Sequence, residues 1–243
     1  MRGGSNIPWR ILGGTEAGEK MKPEIRSFRD EAAGEAPVRG FLHVPATSSG
    51  DGLVLTHGAG ANCQSPLLTA LANAFCEAGM TVLRCDLPFR QSRPHGSPPR
   101  GSAERDQQGL RRAVECMREK ISGRVLLGGH SYGGRQGTLL AAGVPGLVDG
   151  LLLLSYPLHP PKRPTELRTA HFPKLQTPAL FVSGTRDGFG TIEELTAALK
   201  LIPARTRLVP IEGAGHELMS KRNAAELPAV VKNAFGSFFV LTK

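Results

Sequence analysis

The chain has 243 residues, of which 40% are hydrophobic, 21% charged and 5% aromatic. This balance excludes a disordered or fibrous chain, and no apolar run approaches the ~20 residues that a membrane-spanning helix needs. The 30 Lys and Arg outnumber the 21 Asp and Glu for a formal charge of +9, but the excess is scattered (Arg111, Arg112, Arg118) and few aromatics are present to stack bases, so nucleic acid is not an expected partner.

Residues 1–21 are rich in Gly, Glu and Lys and show no periodicity. They lack the apolar stretch of a signal peptide and are expected to form a flexible N-terminal extension. A single α/β domain is expected over 22–243. There, short β-branched and apolar runs alternate with longer segments of helical period, the grammar of βαβ units around a mostly parallel sheet. Strands are expected over 23–29, 37–44, 52–57, 80–86, 124–129, 148–155, 178–184 and 206–212, and helices over 65–78, 103–121, 132–143, 191–201 and 224–240. The first two strands have no helix between them and should pair antiparallel at one edge. Val125-Leu126-Leu127 and Leu151-Leu152-Leu153-Leu154 are continuously apolar, as strands buried on both faces are, which puts them mid-sheet.

Ligands of such sheets sit beyond the carboxyl ends of the strands. There the fifth strand runs into Gly129-His130-Ser131-Tyr132-Gly133-Gly134, followed at once by a helix. This is a G-x-S-x-G turn in a strand–turn–helix setting, a nucleophile elbow that projects the Ser131 hydroxyl above the sheet. No Gly-Lys-Ser/Thr follows, so it is not a phosphate-binding P-loop. A dinucleotide site would want an acid at the end of the next strand, whereas Asp149 stands at its start.

A serine hydroxyl needs a base, and the base needs an orienting acid. His216, on a Gly-flanked loop after the last strand, and Asp187, just past the seventh, supply candidates. Ser131, Asp187 and His216 follow one another in the Ser–Asp–His order of α/β hydrolases. Asp86 would break that order, and Glu212 and Glu217 crowd the histidine itself. The oxyanion of a tetrahedral intermediate needs backbone donors, expected from the N–H of Tyr132 and from Ala59, with Gly60 as the alternative, in the loop Thr56-His57-Gly58-Ala59-Gly60-Ala61-Asn62.

The span from Lys22 onward thus resembles α/β-hydrolase-fold proteins without a large cap. More narrowly it resembles their KANL/testis-expressed branch, through Leu55-Thr56-His57-Gly58-Ala59-Gly60, the Ser131 elbow, Ser155-Tyr156-Pro157-Leu158-His159-Pro160-Pro161 and Phe181-Val182-Ser183-Gly184-Thr185-Arg186-Asp187. The resemblance implies an α/β-hydrolase fold: about eight strands, the second antiparallel, flanked by helices. It implies a serine-hydrolase scaffold as well, although some relatives act as scaffolds with degraded triads.

The expected activity is a carboxylesterase reaction on short or exposed acyl esters of small molecules. The same residues would also serve an acyltransferase, thioesterase or peptidase, and a non-catalytic interaction protein on the same fold is the rival class. The Pro-rich connection from Tyr156 to Gln176 is too short for a helical lid, so the mouth should be open. His57, Phe89, His130, Tyr156 and His159 are candidate substrate contacts. Arg84, Arg90, Lys162, Arg163 and Arg168 read either as a positive mouth favouring anionic acyl compounds or as solvated surface charge. No cofactor or metal is expected, since the chemistry needs only side chains, backbone dipoles and water and the histidines show no ligand spacing. Cys63, Cys76, Cys85 and Cys116 lack a C-x-x-C pair and read as packed free thiols of a cytoplasmic protein, a monomer or small homo-oligomer.

Overall fold

The computed structural model describes residues 23–31 and 37–239, so the extension expected over 1–21 and residues 240–243 lie outside it. Eight strands form one sheet: β1 (Glu24–Asp30), β2 (Val38–Val44), β3 (Gly52–Thr56), β4 (Thr81–Cys85), β5 (Val125–His130), β6 (Gly150–Leu154), β7 (Ala179–Gly184) and β8 (Thr206–Ile211). Their spatial order is β1-β2-β4-β3-β5-β6-β7-β8. β2 runs antiparallel to both β1 and β4, and every other pairing is parallel.

The helices are α1 (Pro66–Glu77), α2 (Pro88–Ser92), α3 (Ala103–Arg118), α4 (Tyr132–Gly143), α5 (Ile192–Leu199) and α6 (Leu227–Phe239). Alternation along the strands feeds two cores. Leu53, Leu55, Leu126, Leu152, Leu180 and Val182 face α1 and α6. Val54, Leu127, Leu151, Leu153 and Phe181 face the layer of α3, α4 and α5. β3, β5 and β6 are buried along their whole length, as their unbroken apolar runs require. β8 takes the far edge and carries Pro210, which lacks a ladder donor and is tolerated where one side of a strand is unpaired.

Two short elements carry no sequence period to read: α2, which starts on Pro88, and a 3-10 turn over Phe172–Lys174. The helix expected from 224 begins at Leu227, where Pro228 fits the first turn but would break an interior. The connection between β6 and β7 contains only that 3-10 turn, so no helical cap covers the carboxyl ends of the strands among the described residues.

Candidate active site

β5 delivers Ser131 in a left-handed backbone conformation, φ 50° and ψ −115°, directly before α4. Such a geometry costs a non-glycine residue about 1–3 kcal/mol and persists only where packing enforces it. Enforcement comes from both flanks. A Cβ on Gly129 would lie 2.5 Å from the Gly134 nitrogen, and one on Gly133 would lie 2.5 Å from the His57 carbonyl oxygen. The Ser131 N–H donates to the Leu154 carbonyl of β6 at 2.8 Å, and the Ser131 carbonyl accepts from Arg135 at 3.0 Å. The turn is therefore pinned to the sheet while the hydroxyl stays clear of it.

β7 and β8 deliver the other two groups on loops that are tied together. The Arg186 N–H donates to the Ala214 carbonyl at 2.9 Å, and the Gly213 N–H donates to Thr185 Oγ1 at 2.9 Å. Gly184 allows this contact, because a Cβ there would run into the Ala214 carbonyl. As a result Asp187 and His216 meet: Nδ1 of the imidazole lies 2.9 Å from Oδ2 and 3.0 Å from Oδ1 of the carboxylate. Nε2 of the same ring lies 2.7 Å from Ser131 Oγ. The carboxylate accepts, so Nδ1 carries the proton and Nε2 accepts from the serine hydroxyl.

Burial grades along this chain. The Asp187 side chain is 2% exposed and its Oδ1 also accepts from the Phe189 N–H at 2.8 Å; the His216 side chain is 20% exposed. The Phe189 ring stacks on the imidazole, with centroids 4.0 Å apart, and shields one of its faces. Nε2 of His130, the residue before the nucleophile, donates to the His216 carbonyl at 2.8 Å. Burial foremost lowers the proton affinity of His130, leaving a neutral ring whose one N–H makes this bond.

Behind the serine, Gly58, Ala59, Gly60 and Ala61 line a cavity of about 580 Å³ together with Ser131 and Tyr132. The N–H groups of Ala59 and Tyr132 have no protein acceptor among the described residues. Arg90 shapes this loop from below. Its buried guanidinium donates to the carbonyls of Ala59 (2.6 Å) and Ala61 (2.8 Å) and to those of Arg93 (3.0 Å) and Gly96 (2.9 Å). In a trans peptide the N–H points away from the carbonyl, so Arg90 at the Ala59 carbonyl turns the Gly60 N–H away from itself, and His57 at the Gly58 carbonyl does the same for the Ala59 N–H. Asp86 adds a second tether by accepting from the Cys63 N–H at 2.7 Å.

Of the expected substrate contacts, only His130 lines the cavity. His57 is fully buried: Nδ1 donates to the Gly58 carbonyl at 2.8 Å and Nε2 accepts from the Leu87 N–H at 3.1 Å, so it braces the loop. Phe89 is buried edge-on between His57 and Tyr132. Tyr156 is buried and its hydroxyl donates to the Arg168 carbonyl at 2.7 Å. His159 is buried against Glu194 at 3.2 Å, at the start of α5. The two histidines and the tyrosine have apolar bodies with one or two polar atoms, and the fold uses those atoms internally. Arg84 likewise serves His43, the Cys63 carbonyl and Thr69 rather than the mouth.

Two cavity residues escaped sequence reasoning, Arg135 and Phe189, whereas Pro157 and Arg168 belong to the connection expected to border the mouth. Arg135 had a readable signal, since it lies one helical turn beyond Ser131 and so on the same helix face. Phe189 stands two residues after Asp187, a proximity without a distinctive pattern.

A serine hydroxyl bonded to an imidazole, an imidazole bonded to a buried carboxylate, and free backbone donors beside the hydroxyl together make a group suited to acyl transfer. The family model described as alpha/beta hydrolase domain matches residues 50–235. Solved structures share the fold. Dienelactone hydrolase from Anabaena variabilis is 21% identical, with a TM-score of 0.69 over 90% of this chain and 99% of that one. An α/β serine hydrolase without a lid from Xanthomonas campestris is 18% identical, with a TM-score of 0.69 over 91% and 97%. Est1E from Butyrivibrio proteoclasticus is 17% identical, with a TM-score of 0.70 over 88% and 99%.

Proposed function

Because this chain belongs to the alpha/beta hydrolase family, we propose that it is a serine hydrolase cleaving carboxylic esters of small molecules through a Ser131–His216–Asp187 triad. One observation carries the reading: the continuous hydrogen-bond chain from Ser131 Oγ through His216 to Asp187, with links of 2.7 Å and 2.9 Å.

In this reading Ser131 Oγ attacks the ester carbonyl as Nε2 of His216 takes its proton. The carbonyl oxygen becomes an oxyanion held by the N–H groups of Ala59 and Tyr132. Collapse expels the alkoxide, which leaves with the proton from Nε2, and the acyl group stays on Ser131. Water then attacks the acyl-enzyme with the same imidazole as base, releasing the carboxylic acid and restoring the serine. Asp187 holds the ring in the required tautomer and stabilises the imidazolium in both halves. The uncapped mouth admits water to the acyl-enzyme, which favours hydrolysis over transfer to another acceptor.

The names of the neighbours, a dienelactone hydrolase and an α/β serine hydrolase, agree with this assignment. The Ser155–Pro161 segment supports placement in the KANL/testis-expressed branch, and four buried free cysteines support a reducing, cytoplasmic setting. No helix among the described residues is long and apolar enough to cross a membrane.

A fluorophosphonate probe tests the proposal without requiring the natural substrate, because it reacts only with an activated serine. Labelling at Ser131, absent in a folded Ser131→Ala variant, is the expected result. An intact Ser131 that stays unlabelled, in protein that also leaves para-nitrophenyl butyrate untouched, would overturn it.

A further inference from the structure

Two cations enter the cavity beside the serine. Arg135 follows Ser131 by one turn of α4, so its side chain leaves the helix on the serine's face and lines the cavity. Arg168 lines the same cavity from the connection between β6 and β7. Its place is built into the fold: its N–H donates to the Leu158 carbonyl at 2.8 Å, its carbonyl accepts from the Tyr156 hydroxyl at 2.7 Å, and Nη1 donates to the Pro157 carbonyl at 3.3 Å. The buried Tyr156 thus acts on the cavity through Arg168.

Neither guanidinium has a counter-charge within ion-pair distance among the described residues. The Arg135 side chain makes no hydrogen bond there, and its Nε is buried without a partner. The other titratable groups nearby do not outweigh this, although Glu166 acts on Arg168 from beyond ion-pair distance. Burial foremost, with Arg135 beside it, pushes His171 down to about 4, so this neighbour is neutral. Asp187 is committed to His216 and the Phe189 N–H, and Glu166 lies 3.4 Å from Arg163. Glu217 lines the cavity but is exposed and lies within 4.0 Å of neither arginine. Burial foremost and then the positive field of Arg135 lower the proton affinity of Arg168, against smaller opposing pulls from Tyr156 and Glu166, the mark of two like charges sharing one space. An oxyanion relieves both deficits, since a guanidinium fork matches a carboxylate in shape and charge.

We propose that Arg135 and Arg168 form an anion subsite and that the ester cleaved at Ser131 carries a free carboxylate. This deepens the hydrolase reading and rests on it.

The test compares para-nitrophenyl hemiadipate with para-nitrophenyl hexanoate, whose acyl chains have equal carbon counts and differ by the terminal carboxylate. The expected kcat/KM ratio is ~10 in favour of hemiadipate at low salt, shrinking as salt screens the pairs. Arg135→Gln and Arg168→Gln should each bring the ratio close to one, and Arg135→Lys should retain part of it. Fluorophosphonate labelling of Ser131 checks that each variant is folded. A second readout needs no variant: adipate should protect wild-type Ser131 from labelling while the neutral adipamide does not. A wild-type ratio at or below one, a ratio that survives both Gln variants, or equal protection by the two additives overturns the subsite. Wild-type protein that labels and hydrolyses hexanoate without preferring hemiadipate loses only the subsite. Protein that neither labels nor hydrolyses either ester loses the hydrolase reading, and the subsite with it.

Discussion

The imidazole of His130 donates from Nε2 to the carbonyl oxygen of His216 at 2.8 Å. The residue preceding the nucleophile thus anchors the loop that carries the base, coupling β5 to the loop after β8 across two intervening strands. His130→Phe keeps much of the ring volume and removes the donor. The His216 carbonyl would then lose its partner, at a cost of about 1–3 kcal/mol. The base would also sample positions farther from Ser131. We expect kcat to fall about tenfold with KM little changed, together with a lower melting temperature. Unchanged kcat in that variant would show that the loop needs no such anchor.

Asp187→Asn is the sharper test of the base. The amide can present its NH₂ to Nδ1 of His216, which favours the tautomer with its proton on Nε2, facing the serine. Ester hydrolysis should drop by roughly 10⁴ while thermal stability changes little, because the hydrogen bond to the Phe189 N–H survives through the remaining carbonyl oxygen. Residual activity near wild type would mean that another acid, such as Glu217, orients the ring.

The Ser131 elbow and the loops bearing Asp187 and His216 were legible because each depends on residues adjacent in sequence: a strand, a tight turn, a helix. The apolar runs of β5 and β6 likewise announced their central place. What escaped was the division of polar side chains between cavity and interior. His57, Tyr156 and His159 are as polar as His130, but each is turned inward by a partner that only folding brings near: the Leu87 N–H, the Arg168 carbonyl and the Glu194 carboxylate. Arg84 and Arg90 misled for the same reason, since nothing local distinguishes a guanidinium that faces solvent from one that gathers four carbonyls.

Arg90 illustrates the consequence. Replacement by Met preserves much of the stem and leaves the carbonyls of Ala59, Ala61, Arg93 and Gly96 without their donor. Freed carbonyls would seek water, and the 58–61 loop would shift together with the N–H groups it offers to the oxyanion. Losing one oxyanion donor costs roughly 10²–10³ in kcat. A kcat deficit of that size with little change in KM is expected, while labelling by a fluorophosphonate slows in parallel. A defect confined to KM would assign Arg90 to substrate binding instead.

Cys63 borders this loop and tests whether the site uses a thiol. Burial foremost, reinforced by the charge of Asp86, pushes it up to about 12, so almost no thiolate exists near neutrality. Iodoacetamide should leave native Cys63 unmodified for hours and react readily after unfolding in urea. Cys63→Ser should retain ester hydrolysis within about twofold. Rapid alkylation of Cys63 in native protein, accompanied by loss of activity, would contradict this.

Acid sensitivity follows from two buried imidazoles. Burial foremost lowers His43 and His171 from 6.5 to about 4, with Arg84 and Arg135 adding positive charge beside them. In the unfolded chain both bind protons below 6.5, while the folded chain resists until about 4. The unfolded state is therefore favoured progressively as pH falls through that window, by up to ~1.4 kcal/mol per unit for each histidine. His159 acts in the opposite sense, since the Pro160 carbonyl and Glu194 raise its proton affinity, but Glu194 is partly exposed and the pair is weak. Urea midpoints should be flat above neutrality and fall steadily on acidification below it, with a shallower fall in His171→Gln. A midpoint that holds steady through the window would mean that both imidazoles take up protons in the folded protein as readily as in the unfolded chain.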